Sequence, residues 1–185
     1  MDVTINMITA IMPGAKKVAG KYLKCLNDAM RKYNINTRYR MAYFLATIAK
    51  ESGELRYTEE IASGSSYDTG RLALALGNTP KADGDGQKFK GRGFIQITGK
   101  NNYEAYKKAS GFDVVSDPTM VSRLPLLCCD SAGWFWDRNH LNTLADKDMC
   151  TKIRERVNGG LNGFDEYKIY VSRAKKALIP LFNQK

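Results

Sequence analysis

Metal ligands are scarce in this chain of 185 residues, which holds one histidine and four cysteines. Cys25, Cys128, Cys129 and Cys150 show no CxxC or Cys/His spacing, so reduced, packed thiols are expected and neither a metal nor another cofactor is implied. His140 lies among Asn139, Leu141 and Asn142 with no partner spacing for a triad or a ligand set, which makes it a surface or capping residue. The DGDG at 83–86 resembles the start of a calcium loop, but its twelfth position is Phe94 instead of glutamate, so it reads as a turn. Long apolar runs are missing too. No segment approaches the roughly 18 unbroken apolar residues of a membrane span. The opening MDVTINMITAIMPGAKK has no basic region ahead of an apolar one and its pattern is broken by Thr4, Asn6 and Thr9, unlike a signal peptide. The expectation is a protein made in the cytoplasm, whose action beyond the inner membrane would need a separate export or holin route. With no repeat and no Pro- or Ser-rich linker, the chain reads as one domain over 1–185, expected to be a monomer.

What is present is charge, and it is of one sign. The formal net charge is +10 with a pI near 9.4, which attracts polyanions: nucleic acid, anionic lipid or the acidic polymers of a bacterial envelope. Charge alone does not choose among them. Hydrophobic residues make up 43%, enough for one well-filled core. Helical spacing predicts helices over about 15–33, from a Thr37 cap to Glu51, and over about 102–110, 125–136, 146–157 and 164–178. Between Ser63 and Gly93 the turn signals GSS, GNTP, DGDG and GRG mark a long loop interrupted only by LALAL, and long loops in compact domains are usually functional. Residues 94–98 predict a short strand, with Ile95 and Ile97 on an apolar face and Phe94, Gln96 and Thr98 on a face that lines something. Of the adjacent Trp134, Phe135 and Trp136, at least one must be core. The last helix sets Phe164, Tyr167, Val171, Ala174 and Leu178 against Lys168, Arg173, Lys175 and Lys176; docking on the core is favoured over lying on an anionic membrane. The expected fold class is mainly α, with one small β element and a loop-built cleft.

Two acids sit where chemistry would need them. Glu51 closes the apolar stripe of Met41, Phe44, Leu45 and Ile48 in the last helical turn, where burial and the helix's negative end both favour a neutral acid. Glu60 follows across Gly53 and a polar turn. Glycosidic hydrolysis uses one carboxyl that donates a proton and another that activates water, set roughly 6.5–9.5 Å apart in inverting enzymes. Either glutamate by itself is commonplace. On the predicted strand face, Gln96, Thr98 and Asn102 could hydrogen-bond the amides and hydroxyls of a sugar, and Gly159–Gly160 would let Asn158 point into a cleft.

KESGE at 50–54, TEEIASGSSY at 58–67, FKGRGFIQITGKNNY at 89–103, SAGWFW at 131–136 and RVNGGLNG at 156–163 resemble, in order and spacing, glycoside hydrolase family 19, and within it the single-domain phage and prophage endolysins related to plant-type chitinases. The resemblance implies a lysozyme-like, two-lobed helical fold with a central cleft and inverting hydrolysis of β-1,4 bonds between N-acetylated sugars. Carried over by motif, it makes Glu51 the general acid, Glu60 the general base and Thr98 the residue holding the water, with Gln96, Asn102 and Asn158 binding sugar. Two departures stand out. Lys50 replaces the histidine the family often has before the first acid, so its cation would oppose the neutral form of Glu51, and Glu60 stands where some relatives carry Asp. The expected partner is the peptidoglycan glycan strand within an anionic envelope, with chitin as the alternative substrate. A basic nucleic-acid-binding protein is the remote rival, on the strength of charge and KFKGRGFIQI alone, and the high helical content speaks against it.

Overall fold

The computed structural model describes residues 1–183. Its helices are α1 (Ile5–Ile11), α2 (Ala19–Lys32), α3 (Arg38–Glu51), α4 (Gly70–Leu76), α5 (Asp85–Lys88), α6 (Lys100–Ser110), α7 (Met120–Arg123), α8 (Pro125–Arg138), α9 (Leu141–Asp146), α10 (Cys150–Asn158), α11 (Phe164–Ala177) and α12 (Ile179–Phe182), with 3-10 turns at Pro13–Lys17 and Ser65–Tyr67. The polar residues that interrupt the opening segment belong to α1: Thr4 caps it, while Ile8 and Ile11 turn inward. The helix expected over about 146–157 starts later, at Cys150, and a separate helix not expected from the sequence, α9, ends at Asp146 before it. His140 is exposed, in the left-handed region at the start of α9. The DGDG stretch is a turn leading into α5.

Thr37 Oγ1 accepts the Arg40 N–H at 3.2 Å and starts α3 where the cap predicts it. Its apolar stripe is only part of what is buried, because every residue from Met41 to Ala49 is inaccessible. A helix hydrophobic all round lies at the centre of a fold rather than on its surface. Accordingly α11 packs along α3 on one side, α9 on another, and α1 covers α11. The inner stripe of α11 supplies Tyr167, Val171 and Ala174 to the core, and Leu178 follows them in, so this helix is docked. Part of its basic face is engaged as well: Lys168 pairs with Asp165 and Lys175 with Asp148.

Two hydrophobic cores divide the chain into two lobes. The larger gathers Ile8, Leu26, Phe44, Trp136 and Tyr167, and the smaller Phe89, Tyr103, Tyr106, Val121 and Trp134. Helix α8 serves both. Trp136 meets Phe44 edge-on at 5.5 Å in the large lobe, while Trp134, two residues earlier, lies 5.3 Å from Tyr106 in the small one. Cys25, Cys128 and Cys129 are buried between α2 and α8, with free thiols as expected.

The run at 94–98 is not a strand. Arg92 and Ile97 exchange both backbone hydrogen bonds, at 2.9 and 3.2 Å, closing a tight turn in which Gly93 (φ +86°) and Gln96 (φ +61°) adopt left-handed backbone. Two isolated bridges, Glu59 with Arg92 and Arg92 with Ile97, are what the described residues have of β structure here. The expected two-faced alternation therefore fails. Phe94 packs against Tyr22 at 4.8 Å inside the large lobe, Ile95 joins the same core, and Ile97 enters the other. A turn rotates successive side chains by amounts that a period of two does not describe.

Candidate active site

Glu51 is the last residue of α3, and the chain after it is locked. Ser52, fully buried, donates to the Ile48 carbonyl at 2.6 Å and accepts the Leu55 N–H at 2.8 Å. Gly53, Glu54 and Leu55 then take left-handed backbone in succession, with φ of +56°, +61° and +67°. Each non-glycine residue there costs roughly 1–2 kcal/mol, so the surroundings must hold it. They do: Glu54 accepts hydrogen bonds from the Gly14 amide and, at 2.9 Å, from the Tyr170 hydroxyl. This turn throws the chain away from the helix axis, toward Glu60.

The cation expected beside Glu51 is not Lys50. That side chain crosses Gly163 and pairs with Glu166 at 2.5 Å, because residue 50 is rotated by about 100° from residue 51 on the helix. Arg154, from α10, takes the place instead. Its Nη1 donates to Glu51 Oε1, while Nε and Nη2 donate to the Asn162 carbonyl at 3.1 and 2.5 Å. The guanidinium side chain is 4% exposed and the carboxylate side chain 20%, so the pair is shielded yet open on the acid's side. Asn158 is exposed one helical turn beyond Arg154 and shares its face of α10.

Glu60 is anchored to the other lobe. Its backbone N–H donates to the Gly91 carbonyl at 2.9 Å, and the Gly91 N–H returns to Glu60 Oε2 at 3.1 Å. The Tyr67 hydroxyl donates to Oε1 at 2.9 Å; burial first, then this contact, raises the Tyr67 pKa, which keeps it a donor at neutral pH. Next door, Glu59 binds Lys90 at 3.0 Å, Arg92 at 3.3 Å and the Ser122 hydroxyl at 3.1 Å. Burial opposes ionisation of Glu59, but these three partners outweigh it and hold the carboxyl below its ordinary range. Arg92 in turn donates to the Tyr103 hydroxyl in the small-lobe core, where burial, offset in part by Arg92, pushes the phenol up to about 12.

Thr98 and Gln96 converge with Glu60 on Gly91. A Cβ on that glycine would lie against Gln96 Oε1 and 3.1 Å from Thr98 Oγ1, so a side chain at residue 91 would crowd both of these groups. Gln96 is half-buried and donates its amide to the Gly93 carbonyl at 2.6 Å, leaving the other end of the amide at Gly91. Asn102 stands behind them, donating to the Thr98 carbonyl at 2.8 Å across the first turn of α6. Thus Glu60, Thr98 and Gln96 gather around Gly91 with Asn102 supporting Thr98, and Glu51 pairs with Arg154 in a second group, while Asn158 lies exposed on Arg154's helix. Sequence reasoning missed Arg154, Tyr67 and the Glu59 network. The one available signal was Arg154 standing four residues before Asn158, one turn away on the same helix.

The sequence model of glycoside hydrolase family 19, described as chitinase class I, matches residues 45–155, which takes in both acids and the turn at 92–97. The chain belongs to glycoside hydrolase family 19. A glycosyl hydrolase family 19 domain-containing protein of Haemophilus influenzae is 44% identical over 94 residues, covering 51% of this chain and 44% of that one. An endochitinase of Arabidopsis thaliana is 36% identical over 120 residues, 65% of this chain and 39% of its own length. The chain spans less than half the length of these curated relatives. Chitinase C from Streptomyces griseus superposes with a TM-score of 0.72 at 19% identity, covering 95% of this chain and 75% of that one. A second bacterial family 19 chitinase gives 0.71 at 20% identity, covering 96% and 95%. These likenesses establish the mainly helical, lysozyme-like family 19 fold.

Proposed function

We propose that this chain hydrolyses β-1,4 bonds between N-acetylated sugars of bacterial peptidoglycan, with inversion, as a wall-degrading lysin. Membership of family 19 supports a glycosidase, and the observation that carries the chemistry is the division of labour between the two glutamates. Glu51 ends a buried helix against a guanidinium; Glu60 is held in the other lobe by Gly91 and Tyr67, next to Thr98. In this reading Glu51 protonates the leaving oxygen, and Arg154 stabilises the carboxylate that forms as the proton departs. Glu60 takes a proton from a water held between its carboxylate and the Thr98 hydroxyl, and the water attacks the opposite face of the sugar. Gln96, Asn158 and, through its hold on Thr98, Asn102 position the substrate.

The net charge of +10 favours the polyanionic wall as substrate. Chitin is the second reading, supported by the relatives named endochitinases. Clearing of outer-membrane-permeabilised bacteria, run beside release of products from chitin oligosaccharides, separates the two. Wild type should clear cells at a rate that Glu51→Gln and Glu60→Gln each lower by at least about a hundredfold, the scale of a general acid or base, with unchanged circular dichroism. Lysis retained by the Glu51 variant ends the assignment. Cleavage of chitin with intact cells left turbid moves the substrate to the second reading.

A further inference from the structure

A cavity of about 460 Å³ opens on the loop that joins the two acids, and its walls carry an excess of positive charge. Lys17 ends the 3-10 turn before α2, Lys21 lies in the first turn of α2, and Arg56 projects from the loop; all three are exposed. None makes an ion pair among the described residues. Glu54 is the one carboxylate in the lining, and its oxygens already accept from Gly14 and Tyr170. The floor is apolar, formed by Tyr22 and Leu55. Three cations above an apolar floor suit a ligand with carboxylates and short alkyl side chains.

The cavity is tied to the catalytic segment. Thr58 on its rim stands two residues before Glu60, about 7 Å along an extended chain. The Thr58 carbonyl accepts the Gly93 N–H at 2.8 Å, which fixes the rim to the turn that carries Gln96. A neutral sugar polymer offers hydrogen-bond acceptors but no negative charge to pair with three cations. Nucleic acid is recognised by tracks of charge along its backbone, whereas these cations surround one local hollow with a hydrophobic base. A short acidic peptide attached to a sugar matches both the charge and the reach.

We propose that this cavity binds the carboxylate-bearing peptide substituents of the glycan strand, making Lys17, Lys21 and Arg56 specificity residues that favour peptide-substituted over bare sugar polymers. This rests on the reading of the chain as a wall glycosidase, so binding is tested apart from cleavage. In a Glu51→Gln background, binding is measured calorimetrically at physiological salt with soluble glycan strands free of teichoic polymers and carrying uncrosslinked peptides, before and after an amidase has removed those peptides. The expected result is binding at least about tenfold tighter to the peptide-bearing strands, a preference lost on Lys17→Gln/Lys21→Gln/Arg56→Gln. A soluble tetrapeptide with free carboxylates should displace the unsubstituted protein, and its amidated form should not, which gives a result independent of how the triple variant folds. Equal binding to both kinds of strand, a preference kept by the triple variant, or displacement by DNA in place of the acidic peptide overturns the proposal. With Glu51 restored, a protein that shows the preference but cuts neither peptide-bearing glycan nor chitin oligosaccharides removes the glycosidase reading and leaves the cavity's ligand standing.

Discussion

Arg154 is nearly inaccessible, and its guanidinium is divided between the Glu51 carboxylate and the Asn162 carbonyl. Removing one member of such a pair leaves the other without compensation, at a cost of about 3 kcal/mol even at the lower end of the usual range, which the partial exposure of Glu51 favours. Arg154→Gln should therefore lower stability by about that amount in urea unfolding and reduce kcat well beyond any change in KM. Arg154→Lys keeps the charge but loses the planar fork, so it should fall between wild type and the glutamine variant in both measurements. Glu59 gives a prediction in pH. Its depressed folded pKa means that the stability it contributes is present above the ordinary glutamate value of about 4.3 and is lost as pH falls through the lower folded value. In thermal melts Glu59→Gln should be less stable than wild type at neutral pH, with the difference closing in strong acid. A constant difference would show that Lys90, Arg92 and Ser122 do not act through the charge.

At the scale of elements, the crossing of α2 and α8 depends on Gly133. A Cβ there would run into the ring of Tyr33, whose hydroxyl is fixed by Asp130 at 3.2 Å. Alanine in a helix gains about 0.5–1 kcal/mol over glycine, while overpacking costs about 1–3. With the ring tethered, the clash should win, and Gly133→Ala should lower the urea midpoint. The turn after α3 illustrates the same rule for backbone. Gly53 has φ +56° and faces the Tyr57 ring at 3.0 Å, so a side chain there would be strained twice over. These elements were legible to different degrees. The Thr37 cap and the buried face of α3 could be read directly, as could the docked stripe of α11. The turn at 92–97 could not, because Phe94, Ile95 and Ile97 mimic a strand's composition while the surrounding glycines and Gln96 fold it back on itself.

Across the whole molecule, α8 joins the lobes by sending Trp134 into one core and Trp136 into the other. If this sharing couples them, Trp134→Ala and Trp136→Ala should each cost about 3–5 kcal/mol and still unfold in one transition, followed by both near- and far-ultraviolet circular dichroism. A two-step melt for Trp134→Ala would mean that the small lobe unfolds alone. Coupling matters for the proposed chemistry because Glu51 belongs to the large lobe and Glu60 is fastened to the small one through Gly91. Their relation is set by how the lobes meet.

The sequence by itself determined the helical composition, the cap and stripe that deliver Glu51 to a helix end, and the ordered motifs of family 19. Those are local properties, set by periodicity, turn chemistry and spacing along the chain. Only the tertiary structure decided that Arg154, 103 positions away, and not the adjacent Lys50, meets Glu51. It also decided that Ile95 and Ile97 enter different cores and that Gly91 is where Glu60, Gln96 and Thr98 converge. Hydrophobic pattern reports that a side chain is buried, but the partner it is buried against follows from the packing of segments far apart in the chain.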